Sequence, residues 1–218
     1  AERITSNDEE RKRQGFEIQT TFAFDASSYA ASMTVSDNAG DIITVDYAQA
    51  AYISRINKGL RRRKDKSQIG FFINPKTGVW VGQPKDDGSE EERPDKLSQL
   101  IVPLVEDRKN ALLIRFDEEW FTELGKEANK TLTTLQHALA RGIEAVFQLE
   151  EGEILVEPTP SRQDRRALLF YEAAEGGAGA LGQMISEKDS IALVARKALE
   201  IMHFEASSFE AAKKDVSA

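Results

Sequence analysis

The sequence predicts an α+β fold in which a mostly antiparallel sheet packs on one long helix, with a strand–glycine loop–helix unit near the C-terminus. Three observations carry it. Residues 16–24 (Phe-Glu-Ile-Gln-Thr-Thr-Phe-Ala-Phe) alternate apolar and polar, the period of a half-buried strand. Between Glu118 and Leu149, apolar residues recur every three or four positions, the stripe of an amphipathic helix. The apolar run Leu168–Tyr171 leads into glycines at 176, 177, 179 and 182 and then into helical spacing from Ile191 to Met202.

The remaining elements follow in chain order. Met33-Thr-Val and Asp41-Ile-Ile-Thr-Val-Asp read as strands, with Asn38-Ala-Gly40 as the turn between them. Ala48, Ala51, Tyr52, Ile56 and Leu60 share one helical face, so a helix is predicted over residues 47–60. Ile69–Ile73 and Val79–Val81 flank Asn74-Pro-Lys-Thr-Gly78 as a hairpin. Ala111–Phe116 is another strand, and Val105–Asn110 before it reads as a polar turn holding Arg108 in an internal ion pair. Phe121, Leu124, Ala128, Leu132, Leu135, Leu139, Ile143 and Val146 form the long stripe. Gly125 and Gly142 mark points of close packing or a kink, and His137 lies off the stripe. Ile154-Leu-Val156 is a short strand, after which Pro158 and Pro160 end regular structure.

Composition bounds the function. The chain has 218 residues, 40% hydrophobic and 30% charged, which fits a globular core. No apolar run reaches the roughly 18 residues of a membrane helix, and no signal peptide is expected. The reading is cytoplasmic. Cysteine is absent and His137 and His203 are the only histidines, so thiolate and histidine-rich metal sites are excluded within these residues. The net charge of -8 argues against nucleic-acid binding over the whole surface and leaves room for a local basic patch. The expected organisation is one accessory domain excised from a larger protein. It has a charged lead-in over 1–15, an acidic mobile loop over 84–96 and a polar tail over 205–218.

Two constellations invite an anion. The first is Arg55–Lys66, with seven basic residues against the single acid Asp65. Arginines ending a helix complement its dipole, and the same cluster suits nucleic-acid phosphates. Arg55, Asn57, Lys58, Arg61, Arg62, Arg63 and Lys64 are the candidate contacts. Tyr52 and Trp80 could stack on bases. The second is the glycine loop with Glu172, Glu175, Gly176, Gly177 and Gly179. Bare N–H groups before a helix make an anion or partner site. Gly177–Gly182 fits G-x-G-x-x-G, but the strand that must follow its helix is missing. As a P-loop it has Gln183 in place of the lysine and Met184 in place of the hydroxyl. Tight strand-to-helix packing is the alternative reading of the same glycines. Glu106 with Asp107, and Glu172 with Glu175, are carboxylate pairs without a nearby nucleophile or metal ligand. No catalytic site is expected.

Four phrases carry a resemblance. They are Tyr47-Ala-Gln-Ala-Ala51 with Arg55–Arg63, Gly70-Phe-Phe and Gly78-Val-Trp80; Val102–Asn110; Leu135–Phe147 with Ala140-Arg-Gly-Ile-Glu144; and Phe170–Gly179. In this order they resemble the C-terminal domain of certain superfamily 2 helicases, of the mitomycin-repair-helicase zinc-binding type, found in DNA-repair and DISARM phage-defence helicases. The resemblance covers residues 1–205. It implies motor domains elsewhere in the same polypeptide, with ATP and Mg bound there and no cofactor in this fragment. The partners it implies are DNA and a possible defence or repair subunit. The family's four-cysteine zinc cluster has no counterpart here, so no metal ligand is carried over. Glu172 stands where the family often has aspartate. The resulting expectation is a non-catalytic accessory domain of an ATP-dependent DNA helicase or translocase. The alternatives are a protein-interaction module, and a phosphate- or nucleotide-binding enzyme at the glycine loop.

Overall fold

The computed structural model describes residues 15–24, 29–36, 40–82, 97–174, 176–187 and 189–205. The lead-in over 1–14, Asn38 and Ala39 of the expected turn, the acidic segment 83–96, Glu175 and the tail from 206 lie outside the described residues. The strands are β1 (Phe16–Ala23), β2 (Tyr29–Ser36), β3 (Asp41–Leu60), β4 (Phe71–Ile73), β5 (Trp80–Val81), β6 (Gln99–Ile101), β7 (Leu104–Phe116), β8 (Ile154–Pro160) and β9 (Arg165–Glu172). The helices are α1 (Glu118–Leu124), α2 (Ala128–Val146), α3 (Ala180–Ser186) and α4 (Ser190–Ile201), with a 3-10 turn over Gly125–Glu127. Contacts divide the chain into two compact units. The first is Ala1–Phe22 with Ile53–Glu106, and the second is Ala23–Tyr52 with Asp107–Ala218. The strands β3 and β7 contribute residues to both.

In the second unit the strand order is β3-β7-β9-β8, with β2 on β3. The β2–β3, β7–β9 and β8–β9 pairs are all antiparallel. Val45, Tyr47, Leu112, Ile114, Leu168 and Phe170 from the strands meet Leu132, Ala140, Ile143, Leu181, Met184 and Val194 from the helices in one core. The fold class is therefore the α+β one the alternation and the apolar stripe predict. Gly142 is a packing glycine: a Cβ there would lie 2.7 Å from the Val194 carbonyl oxygen, so α2 and α4 touch backbone to backbone. In the first unit β4 pairs antiparallel with β5 on one side and β6 on the other. The predicted hairpin around Asn74–Gly78 is the β4–β5 connection.

Four local expectations fail, each for a physical reason. Residues 47–60 are strand, not helix, and belong to the 20-residue β3. Tyr47, Tyr52, Ile53 and Ile56 favour a pleated surface. Ala50 has φ 57°, a left-handed residue inside the strand. It shifts the alternation by one position, after which Ala51, Ile53 and Arg55 are buried in turn. That slip imitates helical spacing across Ala48, Ala51 and Tyr52. Residues 105–110 are strand within β7, not a turn. Arg108 is held instead by Tyr52: its guanidinium stands 4.3 Å over the Tyr52 ring and donates to the Tyr52 hydroxyl. The long helix breaks at Gly125, φ 50°, into α1 and α2 and ends at Val146. Finally, β8 continues through Pro158 to Pro160. It is the last strand of the order, and an edge strand tolerates the missing N–H.

Candidate functional site: a basic turn and a filled glycine loop

In the first unit the basic residues occupy the end of β3 and the turn after it, so no helix dipole acts on them. The turn is closed at its base. The Gly70 N–H donates to the Lys58 carbonyl at 2.9 Å. Gly59 has φ 101°, and a Cβ there would sit 2.9 Å from the Gly70 carbonyl oxygen. The Asn57 side chain accepts from the Gly59 N–H at 3.1 Å, which makes it a turn-former. Asp65 accepts from the Ser67 N–H and hydroxyl at 2.9 and 2.6 Å. The Ser67 hydroxyl hydrogen bond holds the Asp65 carboxyl below its ordinary value.

The structure sorts the seven candidate contacts. Arg55 is buried at 9% exposure and cannot lie along a phosphate backbone. Arg63 is tied to Glu17 by a 2.6 Å ion pair, and it also donates to the Leu60 and Lys66 carbonyls. Lys58 shares the same carboxylate at 3.6 Å. The Arg63 hydrogen bond, aided by the charges of Arg63 and Lys58, holds Glu17 below the usual carboxylate value. Arg61 is exposed and spends only its Nε, donating to the Phe16 carbonyl at 2.9 Å. Arg62 and Lys64 are exposed and make no side-chain hydrogen bond or ion pair among the described residues. The open cations of the turn are therefore Arg61, Arg62 and Lys64.

In the second unit β9 delivers Glu172 into the glycine loop, where it is 2% exposed. One carboxylate oxygen accepts from the Leu181 N–H at 3.1 Å. The other accepts from the Gly179 N–H at 3.2 Å and from the Asn110 amide at 2.9 Å. The Gly179 and Leu181 N–H groups, at the entry to α3, are bare donors of the kind the sequence offers to an anion, and the anion is the chain's own. Gly177 shows how close the fit is: with φ 56°, a Cβ there would fall 1.5 Å from the Glu172 oxygen. Gly179 takes the left-handed position before α3, φ 77°. Gly182 lets the Tyr47 hydroxyl approach to where a Cβ would lie 2.9 Å away. Burial, and secondly the Glu172 charge, push the Tyr47 phenol above its ordinary value.

Sequence reasoning singles out Glu172 and the glycines but misses Asn110, their second anchor. Asn110 is buried at 7% exposure. Its amide also donates to the Gly176 carbonyl at 3.2 Å, and its oxygen accepts from the Ala50 N–H at 3.4 Å, fixing the irregular residue of β3. Lys109 beside it donates to the Ala173 carbonyl at 2.5 Å. The signal in the sequence is a Lys-Asn pair directly before the apolar run of β7. A phosphate brought to this loop would meet a buried carboxylate in its place, which favours the tight strand-to-helix packing reading of the glycines. Glu106, in the first unit, accepts from the Ser54 hydroxyl at 2.7 Å.

One family model and one solved structure are similar to parts of this chain or to its fold. The family model of the MrfA Zn-binding domain matches residues 135–206, which hold most of α2, then β8, β9, the glycine loop, α3 and α4. A crystal structure of the DUF1998 helicase MrfA bound to DNA is similar at a TM-score of 0.47 and 11% identity, over 93% of this chain and 23% of that one. This chain thus spans 23% of the length of that helicase. No curated protein matches. The zinc of the family's name does not fit the residues present. The sequence has no cysteine. Among the described residues no group of three or more His, Cys, Asp or Glu is placed to hold a metal ion. Among the same residues no helix is long and apolar enough to cross a membrane. The third and fourth resemblance phrases, Leu135–Phe147 and Phe170–Gly179, fall inside the matched segment, and over residues 135–206 the chain is similar to the MrfA Zn-binding domain family.

Proposed function

We propose that this chain is a single non-catalytic accessory domain of an ATP-dependent DNA helicase or translocase, and that it contacts DNA through Arg61, Arg62 and Lys64. ATP and Mg belong to motor domains of the same polypeptide, and the setting is cytoplasmic DNA repair or phage defence. The observation that supports the helicase setting is the family match over residues 135–206. The observation that supports DNA contact is the exposed basic turn on a chain of net charge -8. An acidic protein repels a polyanion except where cations gather. Three exposed cations on one closed turn supply such a place. In the second unit the glycine loop is filled by Glu172 and Asn110, and among the described residues no group of three or more His, Cys, Asp or Glu is placed to hold a metal ion.

The test is DNA binding by the 218-residue chain and by its Arg61→Glu, Arg62→Glu, Lys64→Glu triple variant, followed by fluorescence anisotropy across a salt series. The wild type should bind, and its log affinity should fall linearly with log salt. The triple variant should bind more weakly and with a flatter slope. A folded wild type that binds no DNA but co-purifies with a stoichiometric repair or defence subunit would make the chain a protein-interaction module instead.

A further inference from the structure

Three aromatic rings stand in a row beside the basic turn, all within the first unit. Arg61 Nε donates to the Phe16 carbonyl at 2.9 Å. The Phe16 ring meets the Phe71 ring edge-on with centroids 5.8 Å apart. The Phe71 ring meets the Trp80 ring edge-on at 4.9 Å. Phe71 follows Gly70, the residue that closes the base of the turn on Lys58 and Gly59. The strand register explains the row. Trp80 on β5 stands opposite Ile73 on β4. Phe71 is two residues from Ile73 and so shares its face of the sheet. Trp80 ends the row at 44% exposure, although a tryptophan is among the side chains that gain most from burial.

We infer that Phe16, Phe71 and Trp80 form a stacking platform for single-stranded nucleic acid, with the Trp80 ring taking a base and Arg61, Arg62 and Lys64 holding the phosphates. This rests on the DNA-contact reading above and adds the substrate class. Single strands are gripped by the combination on view here, an aromatic face for bases that have no partner and a line of cations for the backbone. A duplex keeps its bases stacked on one another and offers such a ring nothing. The edge-on contact with Phe71 holds the Trp80 ring in one orientation while leaving part of it open, so little ordering remains to be done on binding. An oligonucleotide lying on the platform would run from the turn past Phe16 and Phe71 to Trp80.

The experiment uses the 218-residue chain with Trp120→Phe, so that Trp80 is the sole tryptophan. The ligands are an oligothymidylate of about 12 nucleotides and a mixed-sequence duplex of equal length. We expect tighter binding to the single strand than to the duplex, and quenching of Trp80 fluorescence on saturation. Trp80→Ala should weaken single-strand binding about tenfold and duplex binding hardly at all. Trp80→Phe, which keeps a ring, should lose much less. Should Trp80→Ala misfold, Trp80→Phe and the quenching still decide. The platform is overturned, and DNA contact left standing, if the Arg61, Arg62, Lys64 triple variant weakens both ligands while Trp80 emission and both Trp80 variants leave single-strand binding untouched. Absence of binding to either ligand overturns the platform together with the reading beneath it.

Discussion

The glycine loop at Glu172 and the basic turn at Arg61 advertise the same chemistry in sequence and differ in structure. Each presents clustered positive potential, one from backbone N–H groups before a helix and the other from guanidinium and ammonium groups. At the glycine loop the chain folds its own carboxylate onto the donors, within 3.2 Å of Gly179 and 3.1 Å of Leu181. At the turn one carboxylate, Glu17, takes up Arg63 and Lys58 and leaves Arg61, Arg62 and Lys64 open. The difference lies in burial. A buried donor must be satisfied within the fold, because leaving it bare costs about 1–3 kcal/mol. An exposed cation is satisfied by water and can exchange that water for a ligand at little cost.

If that contrast is right, damage to the loop should appear as lost stability and damage to the turn as lost binding. The largest effect should come from Gly177→Val, which drives a side chain into Glu172 at a left-handed backbone position. Urea unfolding should show a loss of about 3–5 kcal/mol. Glu172→Gln should follow, at about 2–3 kcal/mol, since its amide must turn N–H groups toward the Gly179 or Leu181 donors. A variant as stable as the wild type would mean the carboxylate is not the lock.

Arg55→Ala should cost about 2 kcal/mol through lost burial and unpaired neighbours, while leaving the salt dependence of DNA binding as it was. A flattened salt slope for this variant would return Arg55 to the contact set. The smallest effect concerns Glu17. Its lowered pKa means the ion pair with Arg63 adds stability at neutral pH that is lost as pH falls through the carboxylate range. The side chains are 36% and 13% exposed, so the contribution should stay below about 1 kcal/mol. Glu17→Gln should instead release Lys58 and remove the charge that neutralises Arg63, tighten DNA binding and steepen the salt slope by about one. Unchanged DNA binding in Glu17→Gln would show that the freed cations do not reach a phosphate.

Much of this architecture can be read in the residues themselves. The strand over 16–24, the helix of the apolar stripe and the strand–glycine–helix order at 168–184 are legible locally, and the structure has β1, α2 and that order there, although burial along β1 does not alternate. What the sequence hides is non-local. Ala50 turns a strand into an apparent helix because one left-handed residue resets the alternation. Asn110 looks like loop polarity until Ala50, Gly176 and Glu172 are brought around it. The pairing of Arg63 with Glu17 joins residues far apart in the chain, so no reading of the cluster alone separates its open cations from its spent ones. Phe16 and Trp80 likewise become neighbours of one ring only through Phe71.

One salt titration tests the central claim most directly: log affinity for single-stranded DNA against log salt, for the wild type, the Arg61→Glu, Arg62→Glu, Lys64→Glu triple and Glu172→Gln. The account predicts that the triple loses roughly two from the slope, at about 0.7 per phosphate contact, while Glu172→Gln keeps the wild-type slope at a temperature where it is folded. A triple variant with an unaltered slope, or a Glu172→Gln variant whose slope changes instead, would contradict it.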